Sequence, residues 1–506
     1  MEILLTVTYI LLFSWLFSRM AFFRECGLSQ RSLFLLFGLK ILAGVCLWAI
    51  YTFYYTDRST ADIYKYFDDS QVMYDALRIH PAHYFRMLFG IGNDTPEFNR
   101  YYVQMHNWAR QYESNLYNDS HTIIRFNAIL RLISFGYYQV HAVILCFLSL
   151  SGLVALYKVF APLLPGKKKA VVAAVFLAPS VLFWGSGVLK EGLIFFGMGF
   201  LILYWFRCWA GQVTAAGICW ILFGSLLLLA TKFYIIVSIV PGLLFMAWVL
   251  RTGTKHLLLK FGLVVVGYAG LGLAIKQFVP AYDPLQVLSI KQRDFSSLAK
   301  GGALLRSDTA MIFLTLEQRQ QDLIPADTPS SYHVRKGTRL VYWHDYSADE
   351  DTLFGIQGDQ TVRYTMENDM PRSGSLIAMR PLEPTVSSFL KNLPAAWRNT
   401  FFRPFPLEAR SLLLLPPALE ICGYTLLLLF CVFFRKKSPK GMEYALFCLS
   451  FVFILYAITG LTTPVLGAVV RYKVPGLPLL ILALLFFLDQ EKLIKCIPFL
   501  KRMSDK

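Results

Sequence analysis

Runs of about twenty apolar residues recur along this chain of 506 residues, and nothing constrains its folding more. A helix needs ~20 such residues to cross a bilayer, with a range of about 17–25. Eleven stretches qualify: roughly 2–18, 32–55, 137–157, 170–186, 191–207, 214–230, 232–250, 261–279, 411–433, 442–459 and 474–488. Lipid offers no partner to backbone N–H and C=O groups, so each stretch has to close its own hydrogen bonds as a helix. Stretches 170–186 and 191–207 lie close enough to form one kinked hairpin. Only 16% of the residues are charged, against ~25% in soluble domains. That excludes a soluble enzyme, a disordered chain and a fibre. The first span lacks the basic segment and the small-residue cleavage site of a signal peptide, so it is read as a retained helix.

The chain carries a net charge of +17. Most of that excess sits in alternate loops, at Arg19, Arg24 and Arg31, then Lys158 and Lys167 to Lys169, then Arg207, then Arg251, Lys255 and Lys260, then Arg435, Lys436, Lys437 and Lys440. The tail adds Lys492, Lys495, Lys501, Arg502 and Lys506. Basic loops mark the cytosolic side. This pattern accounts for the charge without nucleic acid as a partner. With eleven spans it puts the N-terminus outside and the C-terminus in the cytosol.

Two long polar segments, about 57–136 and 280–410, then fall outside. The expected organisation is an N-terminal transmembrane region, 1–279, whose first long outer loop is 57–136, then an outer domain, 280–410, then C-terminal helices and a cytosolic tail, 411–506. Stretches 62–78 and 120–134 have the pattern of amphipathic helices along the membrane surface. Segment 327–375 mixes Tyr, Trp, Thr and Gly at short spacing and predicts β structure. The fold class expected is an α-helical polytopic membrane protein with about 11 transmembrane helices, outer (periplasmic) loop helices and a small mixed α/β outer domain. All nine cysteines lie in spans or inward-facing segments, so no disulfide is expected outside. No zinc spacing, Walker loop, dinucleotide fingerprint or internal repeat occurs.

Four groups of residues carry the candidate chemistry. The first outer segment opens with Asp57, Asp62, Asp68 and Asp69 within thirteen residues. On a helix Asp62, Tyr66 and Asp69 share a face. Any of these carboxylates, at a membrane mouth, suits a general base for a hydroxyl; clustered acids beside a low-dielectric slab favour the raised pKa that role needs. The bland alternative is a solvated acidic loop. The second group is Trp184-Gly185-Ser186-Gly187-Val188-Leu189-Lys190-Glu191. Lys190 suits a lipid phosphate, Glu191 suits orienting it or assisting the acids, and Trp184 suits a sugar ring or isoprenoid chain; otherwise they are an interfacial belt. The third is Arg471-Tyr472-Lys473, two cations at the outer interface against the positive-inside trend, with Arg471 suited to bidentate phosphate contact and Lys473 to point charge. In the fourth, Arg403 and Glu408 read chiefly as a structural pair. Lys232, near the outer face, is placed to add to a phosphate site.

On these residues the chain resembles the glycosyltransferase C superfamily of polytopic transferases, over about residues 32–210 and 400–490. In that superfamily an acidic motif lies in the first long outer loop, often near a tyrosine. Asp62 with Tyr66 matches that placement, and Asp68-Asp69 matches the paired-acid variant. The hairpin with Lys190 and Glu191 and the segment Arg471-Tyr472-Lys473 resemble those of uncharacterised bacterial members. The outside N-terminus departs from the pattern by adding one span. The resemblance implies a sugar moved from a polyprenyl-phosphate donor to a glycan, lipid or protein acceptor, in a bacterial inner membrane. Catalysis would fall to Asp62, Asp68, Asp69 and Glu191, and substrate binding to Tyr66, Trp184, Lys190, Arg403, Arg471, Tyr472 and Lys473. An acidic loop of this kind admits Mg2+ or Mn2+. Two other readings stay open: a glycan polymerase or ligase on diphosphate-linked oligosaccharide, and a lipid or sugar transporter.

Overall fold

The computed structural model describes residues 1–55, 58, 61–108, 118–279, 282–345, 356–409, 413–436 and 440–496. Asp57, Lys437, Lys501, Arg502 and Lys506 lie outside them. Among the described residues, nine helices are long and apolar enough to cross a membrane. They are Glu2–Arg19, Gln30–Tyr54, Tyr138–Phe160, Lys190–Trp209, Phe233–Thr252, Leu257–Gln277, Leu415–Phe433, Met442–Thr462 and Leu466–Phe487. The chain is mostly helical. Leu258, Leu263, Val266 and Leu271 stand bare on one of these helices, as do Leu4, Leu11 and Trp15 on the first. Apolar belts of this extent are not left in water; they suit an integral membrane protein.

Two of the eleven expected stretches fall short. Stretch 214–230 forms the helix Ala215–Thr231, apolar but only 17 residues long. Stretch 170–186 is broken into Lys168–Val172, a π-helical turn Ala173–Leu177, and Pro179–Trp184. Pro179 has no N–H to donate and drives the residue before it out of the helical region; Ala178 accordingly has ψ 124°. The loop Gly185–Leu189 then turns the chain into Lys190–Trp209. This is the kinked hairpin that the close spacing allowed.

We call Tyr138–Phe160 α1 and Lys190–Trp209 α2; they form the buried spine. Two glycines let their backbones touch. A Cβ on Gly152 would stand 2.1 Å from the Phe195 carbonyl oxygen, and one on Gly199 would stand 2.0 Å from the Gly152 oxygen. Small residues at such crossings are how membrane helices approach closely. The contact fixes the height of the first turn of α2, which carries Lys190 and Glu191.

The polar segment after the second span contributes helices Asp62–Ile79 and Ser120–Ser134. They pack on each other through Arg131, whose Nε donates to Ser70 Oγ (2.7 Å) and Nη2 to the Phe67 carbonyl (2.5 Å). After helix Pro284–Ala299 comes a seven-stranded antiparallel sheet. Its strands are β1 Gly302–Arg306, β2 Ala310–Thr315, β3 Leu323–Pro325, β4 Ser331–Val334, β5 Arg339–Asp345, β6 Ile356–Gln357 and β7 Tyr364–Met370. The spatial order is β3-β4-β7-β1-β2-β5-β6. The sheet thus begins 25 residues before the expected stretch 327–375, with β1 and β2 at its centre. The sheet docks on the segment between these two helices: Leu304, Met311 and Phe313 pack with Val103, Arg306 donates to the Val103 carbonyl, and Glu367 pairs with His106.

Candidate functional site

Three segments far apart in sequence meet at Arg471. Its Nε donates to Glu191 Oε1 (2.6 Å) and its Nη2 to Oε2 (3.1 Å), while Nη1 bonds Asp62 Oδ2. The indole of Trp184 lies 5.4 Å from the guanidinium carbon. Each side chain arrives by a local rule. Asp62 is the first residue of its helix, where the dipole favours a carboxylate. Glu191 sits in the first turn of α2 for the same reason. Arg471 lies in the last turn of the seven-residue helix Leu466–Tyr472. Glu191 is 3% exposed and Arg471 11%, but Asp62 is 39% exposed. The trio is sealed on one side and open on the other.

A second trio stands beside it. Asp119 Oδ1 lies 2.9 Å from Lys190 Nζ and Oδ2 lies 2.7 Å from Lys232 Nζ. Tyrosine rings surround these cations: Lys190 over Tyr66 at 4.7 Å, and Lys232 over Tyr472 at 5.5 Å and Tyr234 at 5.9 Å. Lys291, from helix Pro284–Ala299, also lies over Tyr234, at 5.3 Å.

The electrostatics run against one expectation. Crowded acids predict a raised Asp62 pKa. Burial does push it up, but the charges of Arg471 and Lys65 outweigh burial and hold it at about 2. With Arg471 in place, Asp62 is a poor proton acceptor. Burial likewise raises Asp119, and Lys190 and Lys232 overcome it, so its carboxyl stays well below the usual range. Burial pushes Tyr66 well above its ordinary value, and the charges of Asp62 and Asp119 add to that. Burial, then the charge of Lys232, lowers Lys291 to about 8.

Of the expected residues, Asp62, Tyr66, Trp184, Lys190, Glu191, Arg471 and Tyr472 come together. Four do not. Asp68 faces solvent and takes two hydrogen bonds from Arg58 (2.7 and 2.6 Å). Asp69 is buried and accepts the backbone N–H groups of His106 (2.9 Å) and Asn107 (2.8 Å), so it orders that turn. Adjacent helical residues cannot face each other, and Asp68-Asp69 does not act as a pair. Lys473 points away from Arg471 and donates to the Thr400 and Arg403 carbonyls, both at 3.0 Å, near the C-terminal end of helix Val386–Phe402. Arg403 bonds Glu408 through Nε (2.9 and 3.0 Å) and through Nη2 (2.5 Å).

Sequence reasoning passed over Asp119 and Lys291. Asn118-Asp119-Ser120 reads as an ordinary helix start, and Lys291 is one of several polar residues on its helix. Asp119 had one available signal, as an acid followed by an amphipathic helix near the interface. Among the described residues, no group of three or more His, Cys, Asp or Glu could hold a metal ion.

Compared with family models, with curated proteins and with solved structures, the chain matches none of them.

Proposed function

We propose that this chain is a membrane glycosyltransferase that moves a sugar from a polyprenyl-phosphate donor to a glycan, lipid or protein acceptor at the outer face of a bacterial inner membrane. In this reading the short helix Ala215–Thr231 and the broken segment 168–184 complete eleven crossings, with the N-terminus outside and the C-terminus in the cytosol. Residues 280–410 then form an outer domain that receives the acceptor.

The observation that carries the reading is the junction of two acids on Arg471 with the lysine group around Asp119. Four cationic side chains (Lys65, Lys190, Lys232 and Arg471) pair with three carboxylates (Asp62, Asp119 and Glu191), and Lys291 stands nearby over the Tyr234 ring. An excess of positive charge in a half-buried site calls for an anion. A lipid-phosphate sugar is a phosphodiester with one negative charge. When the bond from sugar C1 to the phosphate oxygen breaks, the leaving lipid phosphate becomes a monoester with close to two. Cations already in place stabilise that developing charge. The acceptor oxygen forms its bond to C1 and gives up its proton to Asp62, the one carboxylate of the first trio open to solvent.

The carboxylates do not fit an Mg2+ or Mn2+ ion, because each is already bonded by a cationic side chain; no step runs through a metal. The buried Glu420, an ionisable group within a span, is the kind of residue a transporter would use. Its Oε2 accepts the Ser180 N–H (2.9 Å) and so caps the short helix Pro179–Trp184, while its Oε1 has no hydrogen-bond partner among the described residues.

Mass spectrometry of cell glycans and lipid-linked sugars tests the proposal, comparing wild type, a deletion and Asp62→Asn. Loss of one sugar with accumulation of its lipid-phosphate donor in both strains is the expected result. Accumulation of whole lipid-linked repeats would point to a polymerase or ligase. Unchanged glycans in both strains would refute the transferase.

A further inference from the structure

Arg471 is shared between two carboxylates that are not equivalent. Glu191 takes it bidentate through Nε and Nη2, and Glu191 is sealed, 3% exposed. Asp62 takes only Nη1, and it is 39% exposed, with Lys65 at 3.7 Å as a second partner. Losing Arg471 would leave Glu191 as an unpaired charge in an enclosed place, which is costly. Asp62 could let go and keep water and Lys65. The weak point of the trio is therefore one bond, Nη1 to Asp62.

We infer that the Arg471–Asp62 bond is a latch opened by a phosphate group, which takes the Nη1 position while Glu191 keeps its two bonds. Asp62 then becomes a free carboxylate only when the anion is bound. The inference rests on the phosphate-handling reading above and adds the order of events: donor phosphate first, acceptor proton second. Without the donor the base stays engaged, and a stray hydroxyl or water is not deprotonated. Glu191 is on this account a positioning residue. It holds the guanidinium at the height at which its outward edge meets the anion.

The two carboxylates should therefore respond with opposite signs. Asp62→Asn removes the competitor for Nη1 and tightens phosphate binding by about two- to fivefold, the effect of a half-exposed ion pair. Glu191→Gln removes the anchor, leaves Arg471 to Asp62 alone, and weakens binding by a comparable factor. Asp68→Asn, at a carboxylate engaged with Arg58, changes nothing.

The test is titration of the full-length protein in detergent with farnesyl phosphate and, separately, with inorganic phosphate, followed by the fluorescence of Trp184 and its neighbours. A second readout is carbodiimide labelling of Asp62, located by peptide mass spectrometry. Labelling should rise when farnesyl phosphate is added, because Asp62 leaves Arg471. Binding of farnesyl phosphate but not of inorganic phosphate assigns the anion to a lipid; equal binding assigns it to a free phosphate and removes the donor from the reading. Binding tightened in both Asp62→Asn and Glu191→Gln would mean simple charge repulsion and would overturn the latch, as would labelling that falls on binding. Failure of wild type to bind either probe would overturn the phosphate-handling reading itself.

Discussion

Asp119→Ala removes the carboxylate that Lys190 and Lys232 share. Lys190 is left with the Tyr66 ring at 4.7 Å and Ser120 Oγ at 3.5 Å, the limit of a hydrogen bond. Its side chain is 3% exposed, so water cannot take over. Breaking a buried pair from one side costs about 3–5 kcal/mol, and the Tyr66 ring, already in contact in wild type, does not offset the loss. Asp119 is itself 24% exposed, which puts the expected loss near the low end, about 3 kcal/mol. Lys190→Met keeps the stem and deletes the charge. Asp119 then still has Lys232 at 2.7 Å, so that single change costs less, about 1 kcal/mol. The double variant should be more stable than Asp119→Ala alone, because the more deeply buried of the two stranded ammoniums is gone. Thermal unfolding in detergent, read by intrinsic fluorescence for wild type, both singles and the double, measures the coupling. Additive losses, with the double the least stable of the four, would refute the reasoning.

Other expectations follow from the same contacts. Gly199→Ala and Gly152→Ala each place a Cβ on backbone atoms of the facing helix and should destabilise by about 1–3 kcal/mol, whereas Gly270→Ala meets nothing within 4 Å and should leave melting unchanged or higher. Burial raises Asp69 to about 6 in the folded protein, above the ordinary ~3.9. The folded state therefore binds that proton more tightly, and the group's contribution is present below about pH 4 and lost as pH rises through 6. Wild type should gain stability relative to Asp69→Asn between pH 7 and pH 5, and parallel melting curves at the two pH values would count against it. Glu367→Gln removes the charge that meets His106 and Arg306; backbone hydrogen exchange should rise about tenfold in residues 99–108 and in β7, and unchanged exchange would place the docking elsewhere.

Apolar length made most spans legible, because a bilayer demands it of every crossing segment. It failed where another force set the geometry. Pro179 broke a run that composition alone joins. The central strands β1 and β2 escaped notice because they are covered on both faces, Ala303, Leu304 and Leu305 all being buried. They therefore show no alternation of polar and apolar residues, the usual mark of a strand. In the candidate site, residue type singled out Lys190, as an ionisable group at the end of an apolar span, and Arg471, as a cation off the positive-inside pattern, and the structure brings both into one cluster. Direction was less legible. Lys473 is two positions past Arg471, and a helical turn aims it at the Thr400 and Arg403 carbonyls instead. Asp68 and Asp69 are neighbours in sequence and strangers in space. Asp119 was hidden because a helix-start aspartate is common, and only the return of the chain at Lys190 and Lys232 gives it partners.

Arg471 lies 280 residues beyond Glu191 and 409 beyond Asp62. A ribosome adds about 5–20 residues each second, so the guanidinium arrives tens of seconds after the second acid has been made. Through that interval two carboxylates belong to the membrane face with no arginine between them, and the pocket that later encloses Glu191 has to stay ajar to water. The acid pair thus gains its arginine late in biosynthesis, with the buried helix Leu477–Phe487 still to follow. A ribosome that stalls before residue 466 releases a bundle with most of its helices and an acidic gap.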